Sequence, residues 1–348
     1  MDRTGEPKPP RSPRRAGAGA VTARPVRRDR RDRRYLRPSL PVCATMPDKT
    51  VGFVGLGIMG LPMAKNLVDA GFPVVSHNRS SAPTEELVEY GGEDGGSPAG
   101  VAERSDVVLL CLPDSPDVEN VVLGEGGEPN PVIEGLSEGM TLVDHSTISP
   151  TVTKTIAEQV ADAGTTMLDA PISGGEEGAV EGTLSIMVGG DEAALDDHRD
   201  VLEVMGETIT HCGPSGAGQT AKACNQIVVA AQMVGVSEAL VFAHNAGAEL
   251  ESVVEAIRGG AAGCWTLDNR APNMIHGDFD PGFFAEYQYK DLRIAADAGE
   301  AFGSPMPQTA LAHELYKTMV QNGMGRDDNS GVMQVLEMMA GEDARVDE

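Results

Sequence analysis

Three glycines between Thr50 and Leu67, namely Gly55, Gly57 and Gly60, stand in the spacing G-x-G-x-x-G. The chemistry this spacing can perform is the holding of a dinucleotide pyrophosphate. Gly55 allows a tight turn from strand to helix, Gly57 lets the backbone approach the phosphates, and Gly60 lets helix and strand pack closely. The backbone of Leu56, Ile58 and Met59 between them completes a helix N-terminus whose amides face the phosphate charge. In such sites an acidic residue about 20 positions on holds the ribose of NAD, whereas an arginine there accommodates a 2′-phosphate. Here the corresponding segment reads Asn78-Arg79-Ser80, with no acid. An amide, a planar guanidinium and a hydroxyl suit a phosphate monoester, so NADP(H) is favoured and NAD(H) is the alternative.

The elements that must position these residues follow from hydrophobic periodicity. Val51, Phe53 and Val54 predict a strand before the glycines, and Met63, Ala64 and Leu67 predict a helix after them. Further apolar strands are expected at 73–77, 106–112, 140–144, 166–170 and 184–188, alternating with helical segments. That alternation argues for a parallel, doubly wound sheet. Beyond Gly213-Pro-Ser-Gly-Ala-Gly218 the character changes: helices are expected at 219–246, 249–258, 265–275, 289–302, 306–322 and 330–340, with no strand past about 211. The fold class is therefore an α/β Rossmann-type N-terminal domain, residues 46–212, and an all-α C-terminal domain, 213–345, joined by a long helix. Substrate and cofactor should meet in the cleft between the two.

The net charge of −26 conceals a split. Residues 1–45 carry 13 Lys/Arg against 4 Asp/Glu, and residues 46–348 carry 14 against 49. Only Lys49, Lys65, Lys154, Lys222, Lys290 and Lys317 lie in the acidic part. So acidic and lysine-poor a body repels itself at low salt and is the composition of a salt-loving organism's cytoplasmic protein; it argues against a nucleic-acid partner. The basic leader, with its Arg-rich run at 27–34 and scattered prolines, has no apolar periodicity and is expected to be disordered. It could be a nucleic-acid-binding arm, a targeting peptide or translation upstream of the natural start; Met46, just before the first strand, favours a start-site artefact. No run approaches the roughly 18 apolar residues needed to span a membrane. Cys43, Cys111, Cys212, Cys224 and Cys264 lack metal or redox spacing and are expected to be reduced, buried thiols; no metal is expected.

Four ordered motifs across about residues 50–340 resemble the β-hydroxyacid dehydrogenase family, which includes 3-hydroxyisobutyrate dehydrogenases and tartronate semialdehyde reductases. They are Gly55-Leu-Gly-Ile-Met-Gly60 with Met63-Ala-Lys-Asn66; Asp169-Ala-Pro-Ile-Ser-Gly-Gly175 followed by Gly182-Thr-Leu-Ser-Ile-Met-Val-Gly-Gly190; Gly216-Ala-Gly-Gln-Thr-Ala-Lys-Ala-Cys-Asn225; and Lys290-Asp-Leu292. The resemblance implies that Lys222 is the general acid/base. An ammonium can protonate the alkoxide formed as hydride reaches a carbonyl carbon, and the neutral amine accepts that proton in reverse. Asn225, three residues on and on the same helical face, would orient the substrate or hydrogen-bond the lysine. Ser173, Gly174 and Gly175 resemble the substrate-binding loop, a hydroxyl and close backbone suited to a carboxylate.

By the same resemblance Thr147 contacts the nicotinamide side of the cofactor, Leu112 and Pro113 line that crevice, and Lys290 reaches the cofactor from the helical domain. Asp291 either pairs with Lys222 or orders the site. Trp265 lines the pocket or packs in the core. His145, His211 and His276 stand outside the motifs and are read as structural. The activity implied is interconversion of a small β-hydroxy acid and its semialdehyde. Asn225-Gln226-Ile227 favours a tartronate-semialdehyde-reductase-like enzyme, with 3-hydroxyisobutyrate dehydrogenase the alternative, and a catalytically silent NADP-binding interaction protein the rival of another class. The long apolar helix suggests a homo-oligomer, dimer or tetramer.

Overall fold

A computed structural model of the chain describes residues 49–346; the readings of the leader and of Cys43 lie outside the described residues. Nine strands form one sheet: β1 Val51–Val54, β2 Val74–His77, β3 Glu93–Asp94, β4 Val107–Leu110, β5 Thr141–Asp144, β6 Thr166–Asp169, β7 Ile172–Ser173, β8 Leu184–Gly189 and β9 Gly206–Gly213. Their order is β3-β2-β1-β4-β5-β6-β8-β7, with β9 also paired to β8. The first six strands run parallel. β1, β4 and β5 are buried throughout, as strands covered on both faces are, and all but Thr141 and Asp144 at the ends of β5 are apolar or glycine. Alternate residues feed two cores. Val51, Phe53, Val107, Leu109 and Val143 face one, and Val54, Val108, Leu110 and Leu142 face the other.

The expected parallel, doubly wound sheet is present, with an antiparallel turn at one side. β8 runs antiparallel to β6 and β7, and β9 parallel to β8. Residues 174–183, between β7 and β8, are fewer than the dozen or more that a parallel crossover requires, so the chain turns back instead. β3, β7 and β9 are the strands the apolar pattern missed. The first two have only two residues each, and β9 alternates threonines with few apolar side chains.

The long helix is Ala217–Asn245. Among the described residues it is the one helix long and apolar enough, by length and composition, to cross a membrane, contrary to the reading of the sequence. In the structure its apolar residues serve two cores. Ala230, Met233 and Val234 pack with Leu292, Tyr316, Met319 and Val332, and Val236 and Leu240 pack with Leu250, Leu267, Met274 and Met333. The partners come from helices Leu250–Arg258, Trp265–Asn269, Ala271–Met274, Ala285–Phe302, Pro307–Gln321 and Val332–Ala340. The helix expected at 265–275 is thus two short ones. Cys212 and Cys224 are exposed, which overturns the expectation of buried thiols, and Cys111 and Cys264 are half-buried. Trp265 is also exposed, with the Arg270 guanidinium 4.8 Å from its ring centre, so it is not a core residue.

Candidate active site

Between β1 and β4 the strand order reverses, which opens a crevice outside the carboxyl ends of the strands. The glycine turn sits there. Gly55 has φ 99°, and a Cβ on it would collide with the Cys111 carbonyl at the exit of β4. A Cβ on Gly60 would strike the Gly55 carbonyl, whereas one on Gly57 would meet nothing within 4 Å. Gly55 therefore lets the turn pack against the exit of β4, Gly60 closes the turn on itself, and Gly57 leaves an open cradle. The amides of Gly57, Ile58 and Met59 have no acceptor among the described residues. An open surface with orphaned donors at a helix N-terminus fits a pyrophosphate.

The Asn78 side chain accepts from Leu56 N at 2.9 Å and donates to Ser80 Oγ at 2.9 Å and to Ser80 O at 3.1 Å. It staples the glycine turn to the exit of β2. Of the three polar residues there, Arg79 is the one whose charged end is exposed and engaged by no described partner.

At the exits of β4 and β5, Leu112 N donates to Ser146 Oγ at 2.8 Å. Lys290, from helix Ala285–Phe302, donates to Pro113 O at 2.9 Å and Thr147 O at 2.7 Å. Three residues on, Arg293 pairs with Asp114 at 2.6 Å. The structure thereby brings Leu112, Pro113, Thr147 and Lys290 together across the two halves of the molecule.

Lys222 is buried on the long helix, and its Nζ donates to Ile172 O at 2.8 Å, one residue before Ser173. Burial pulls its pKa from 10.5 to about 8; the Asp291 charge acts upward and the Lys290 charge downward. Asp291 forms no ion pair with Lys222. One of its oxygens lies 3.1 Å from Lys290 Nζ, and the other accepts from Gln226 Nε2 at 2.6 Å. Gln226 in turn accepts from Asn225 Nδ2 at 2.7 Å. Of the two readings of Asp291 the ordering one describes its contacts, and Asn225 is bonded to Gln226 rather than to the lysine. Ser173 is half-buried with its hydroxyl free of described partners. Gly174 (φ 146°) and Gly175 (φ 66°) form the turn after it, with Gly282 O of the helical half close to Gly175.

Several residues here were not singled out from the sequence. Asp144 and Asp169, in register at the ends of β5 and β6, are both buried. Burial raises the Asp144 carboxyl to about 7, even though Ser146 N donates to it at 2.9 Å. Gln219 and Gln226 lie three residues before and four after Lys222, the spacing of one helical face, which was the signal available for them. His145 bonds Ala170 O at 2.7 Å and is pulled by burial to about 4, so it stays neutral. His211 and His276 likewise bond backbone carbonyls.

This fold and turn define a two-domain dinucleotide-binding protein. Residues 50–213 match the family model of the NAD-binding domain of 6-phosphogluconate dehydrogenase. Residues 216–336 match that described as NAD-binding of NADP-dependent 3-hydroxyisobutyrate dehydrogenase. The chain is 44% identical to 2-hydroxy-3-oxopropionate reductase of Escherichia coli over 83% of its length and 98% of the relative's. It is 36% identical to mitochondrial 3-hydroxyisobutyrate dehydrogenase of Mus musculus over 85% and 90%. Among solved structures it resembles Mycobacterium tuberculosis 3-hydroxyisobutyrate dehydrogenase with L-serine, with TM-score 0.77 and 34% identity over 83% of this chain and 99% of that one. The chain belongs to the β-hydroxyacid dehydrogenase family of NAD(P)-dependent oxidoreductases.

Proposed function

We propose that the protein is an NADP(H)-dependent reductase of a small semialdehyde acid, with tartronate semialdehyde favoured as substrate and 3-hydroxyisobutyrate chemistry the alternative. The observation that carries this reading is the buried Lys222 ammonium, 2.8 Å from the carbonyl that precedes Ser173. The 44% identity to the E. coli reductase supports the substrate preference. Bound along the glycine turn, the cofactor supplies or takes hydride at its nicotinamide carbon. The other steps belong to the chain's own residues.

The Ser173 hydroxyl and the backbone of Gly174 and Gly175 take the substrate carboxylate. Lys222 gives a proton to the carbonyl oxygen as the carbon gains hydride; the amine left behind recovers a proton from water. Asn225, tied through Gln226 to Asp291, orients the substrate beside the lysine. Leu112, Pro113, Thr147 and Lys290 form the wall facing the nicotinamide, and Asp291 holds Lys290 in place. Gly55 to Gly60, with Leu56, Ile58 and Met59, hold the pyrophosphate, and Arg79 meets the 2′-phosphate beside Asn78 and Ser80. We assign the protein to the cytoplasm and expect a homo-oligomer, with exposed Val228 and Phe242 on the long helix forming part of the contact.

The test is NADPH oxidation by the purified full chain in molar KCl. Tartronate, methylmalonate and succinate semialdehydes and glyoxylate are offered in parallel, with Lys222→Ala as control. Turnover of one substrate that collapses in the control supports the reading and names the substrate. Tight NADPH binding without turnover of any points to the silent-binder alternative.

A further inference from the structure

The first turn of the long helix is gripped from the sheet. Asp169, at the end of β6, accepts from Gly216 N at 2.7 Å through one oxygen and from Gln219 N at 2.9 Å through the other. These are amides that a helix leaves without partners of its own. The carboxylate fits because glycines surround it. A Cβ on Gly189 would lie 2.6 Å from one of its oxygens, and a Cβ on Gly218 2.8 Å from the other. Held in this way, the buried Gln219 turns its carboxamide to the loop after β5. Its Nε2 donates to Ser146 O at 2.7 Å, and its Oε1 accepts from Ile148 N at 3.1 Å. Both bonds fall on the neighbours of Thr147, whose own carbonyl is held by Lys290 at 2.7 Å. Gln219 lies one helical turn before Lys222.

We propose that Gln219 is a positioning residue: by bracketing Thr147 with its carboxamide, it fixes the loop that faces the nicotinamide relative to the Lys222 ammonium on the same helix. The proposal rests on the reading of Lys222 and Thr147 given above. Its physical basis is that proton donor and hydride donor must both reach one carbonyl group, and a displacement of about 1 Å is enough to cost a factor of about 100 in rate. Among the described residues, Gln219 is the side chain whose hydrogen bonds join the two supports directly. No methionine or leucine could replace it without leaving Ser146 O and Ile148 N buried and unpaired.

The test uses the full chain and Gln219→Met, which keeps the volume and removes both bonds. Backbone deuterium exchange at Ile148 should accelerate in the variant, while exchange in β4 and the NADPH dissociation constant stay at the parent values. With the semialdehyde that the parent turns over, kcat should fall roughly 10- to 100-fold at unchanged KM for NADPH, with a full primary isotope effect from C4-deuterated NADPH. Faster exchange at Ile148 with unchanged kcat overturns the proposal. So does a fall in kcat matched by an equal loss of NADPH affinity, because that is general loosening of the fold. If the methionine variant does not fold, Gln219→Glu keeps the acceptor for Ile148 N and loses the donor to Ser146 O, so exchange at Ile148 should stay near the parent value and the variant is judged by kcat against NADPH affinity. A Lys222→Ala variant as active as the parent, or a parent without turnover, overturns the reading of the site and this proposal with it.

Discussion

Burial of the Lys222 ammonium has a direct consequence for pH dependence. Desolvation disfavours the charged form, so its pKa falls to about 8 from 10.5. Reduction needs the protonated form, present below about 8, and oxidation needs the neutral amine, present above it. In pH profiles the reductive kcat should therefore decline above about 8 and the oxidative kcat should rise through the same range; a midpoint near 10.5 would contradict the assignment. Lys222→Ala should lower kcat by about 10²–10⁴. At the cofactor end, Arg79→Glu should reduce kcat/KM for NADPH roughly 10- to 100-fold, the value of a lost charge-assisted hydrogen bond, and leave NADH little affected. Parallel assays with both cofactors check it. Lys222, Lys290 and Arg79 were conspicuous as candidates in the sequence, the lysines for their rarity in so acidic a body and Arg79 for its place after β2. Gln219, Gln226 and Asp144 were not, because their meaning lies in partners 65 to 73 residues away for the glutamines and in burial for the aspartate.

At the scale of elements, the glycine turn separates into two kinds of position. Gly55→Ala meets both a positive φ and the Cys111 carbonyl, so it should destabilise the fold by about 1–3 kcal/mol and weaken NADPH binding as well. Gly57→Ala meets open space, so its thermal midpoint should stay near the parent value while NADPH binding weakens. Thermal unfolding and NADPH titration of both variants distinguish the two effects. The central parallel strands β1, β2, β4, β5 and β6 and the long helices were readable from the sequence pattern because each buries apolar side chains. The reversal at β8 was less evident, since it depends on how few residues connect it to β7. β9 escaped because a strand of alternating threonines resembles a polar loop.

For the whole molecule, the net charge predicts how stability depends on salt. With 49 acidic against 14 basic residues, positions 46–348 carry a net negative charge that repels itself at low ionic strength. The thermal midpoint should rise as KCl goes from about 0.1 to about 1 M, where the screening length shrinks from about 10 to about 3 Å. A midpoint that is flat or falls with salt would exclude net repulsion as a main factor. Phe242, 73% exposed, and Val228, 55% exposed, lie on the long helix. Phe242→Glu should split the expected oligomer, as read by sedimentation. The sequence by itself determined the class of fold, the glycine turn and the identity of the lysines, because these depend on local periodicity, backbone sterics and residue chemistry. The tertiary structure alone decided that Asp291 serves Lys290 and Gln226 rather than Lys222, that Asp169 grips the long helix, and that Gln219 brackets Thr147. Apart from the adjacent Lys290–Asp291 pair, those contacts join residues far apart in the chain, and a buried polar group finds such a partner only after the elements that carry both have packed.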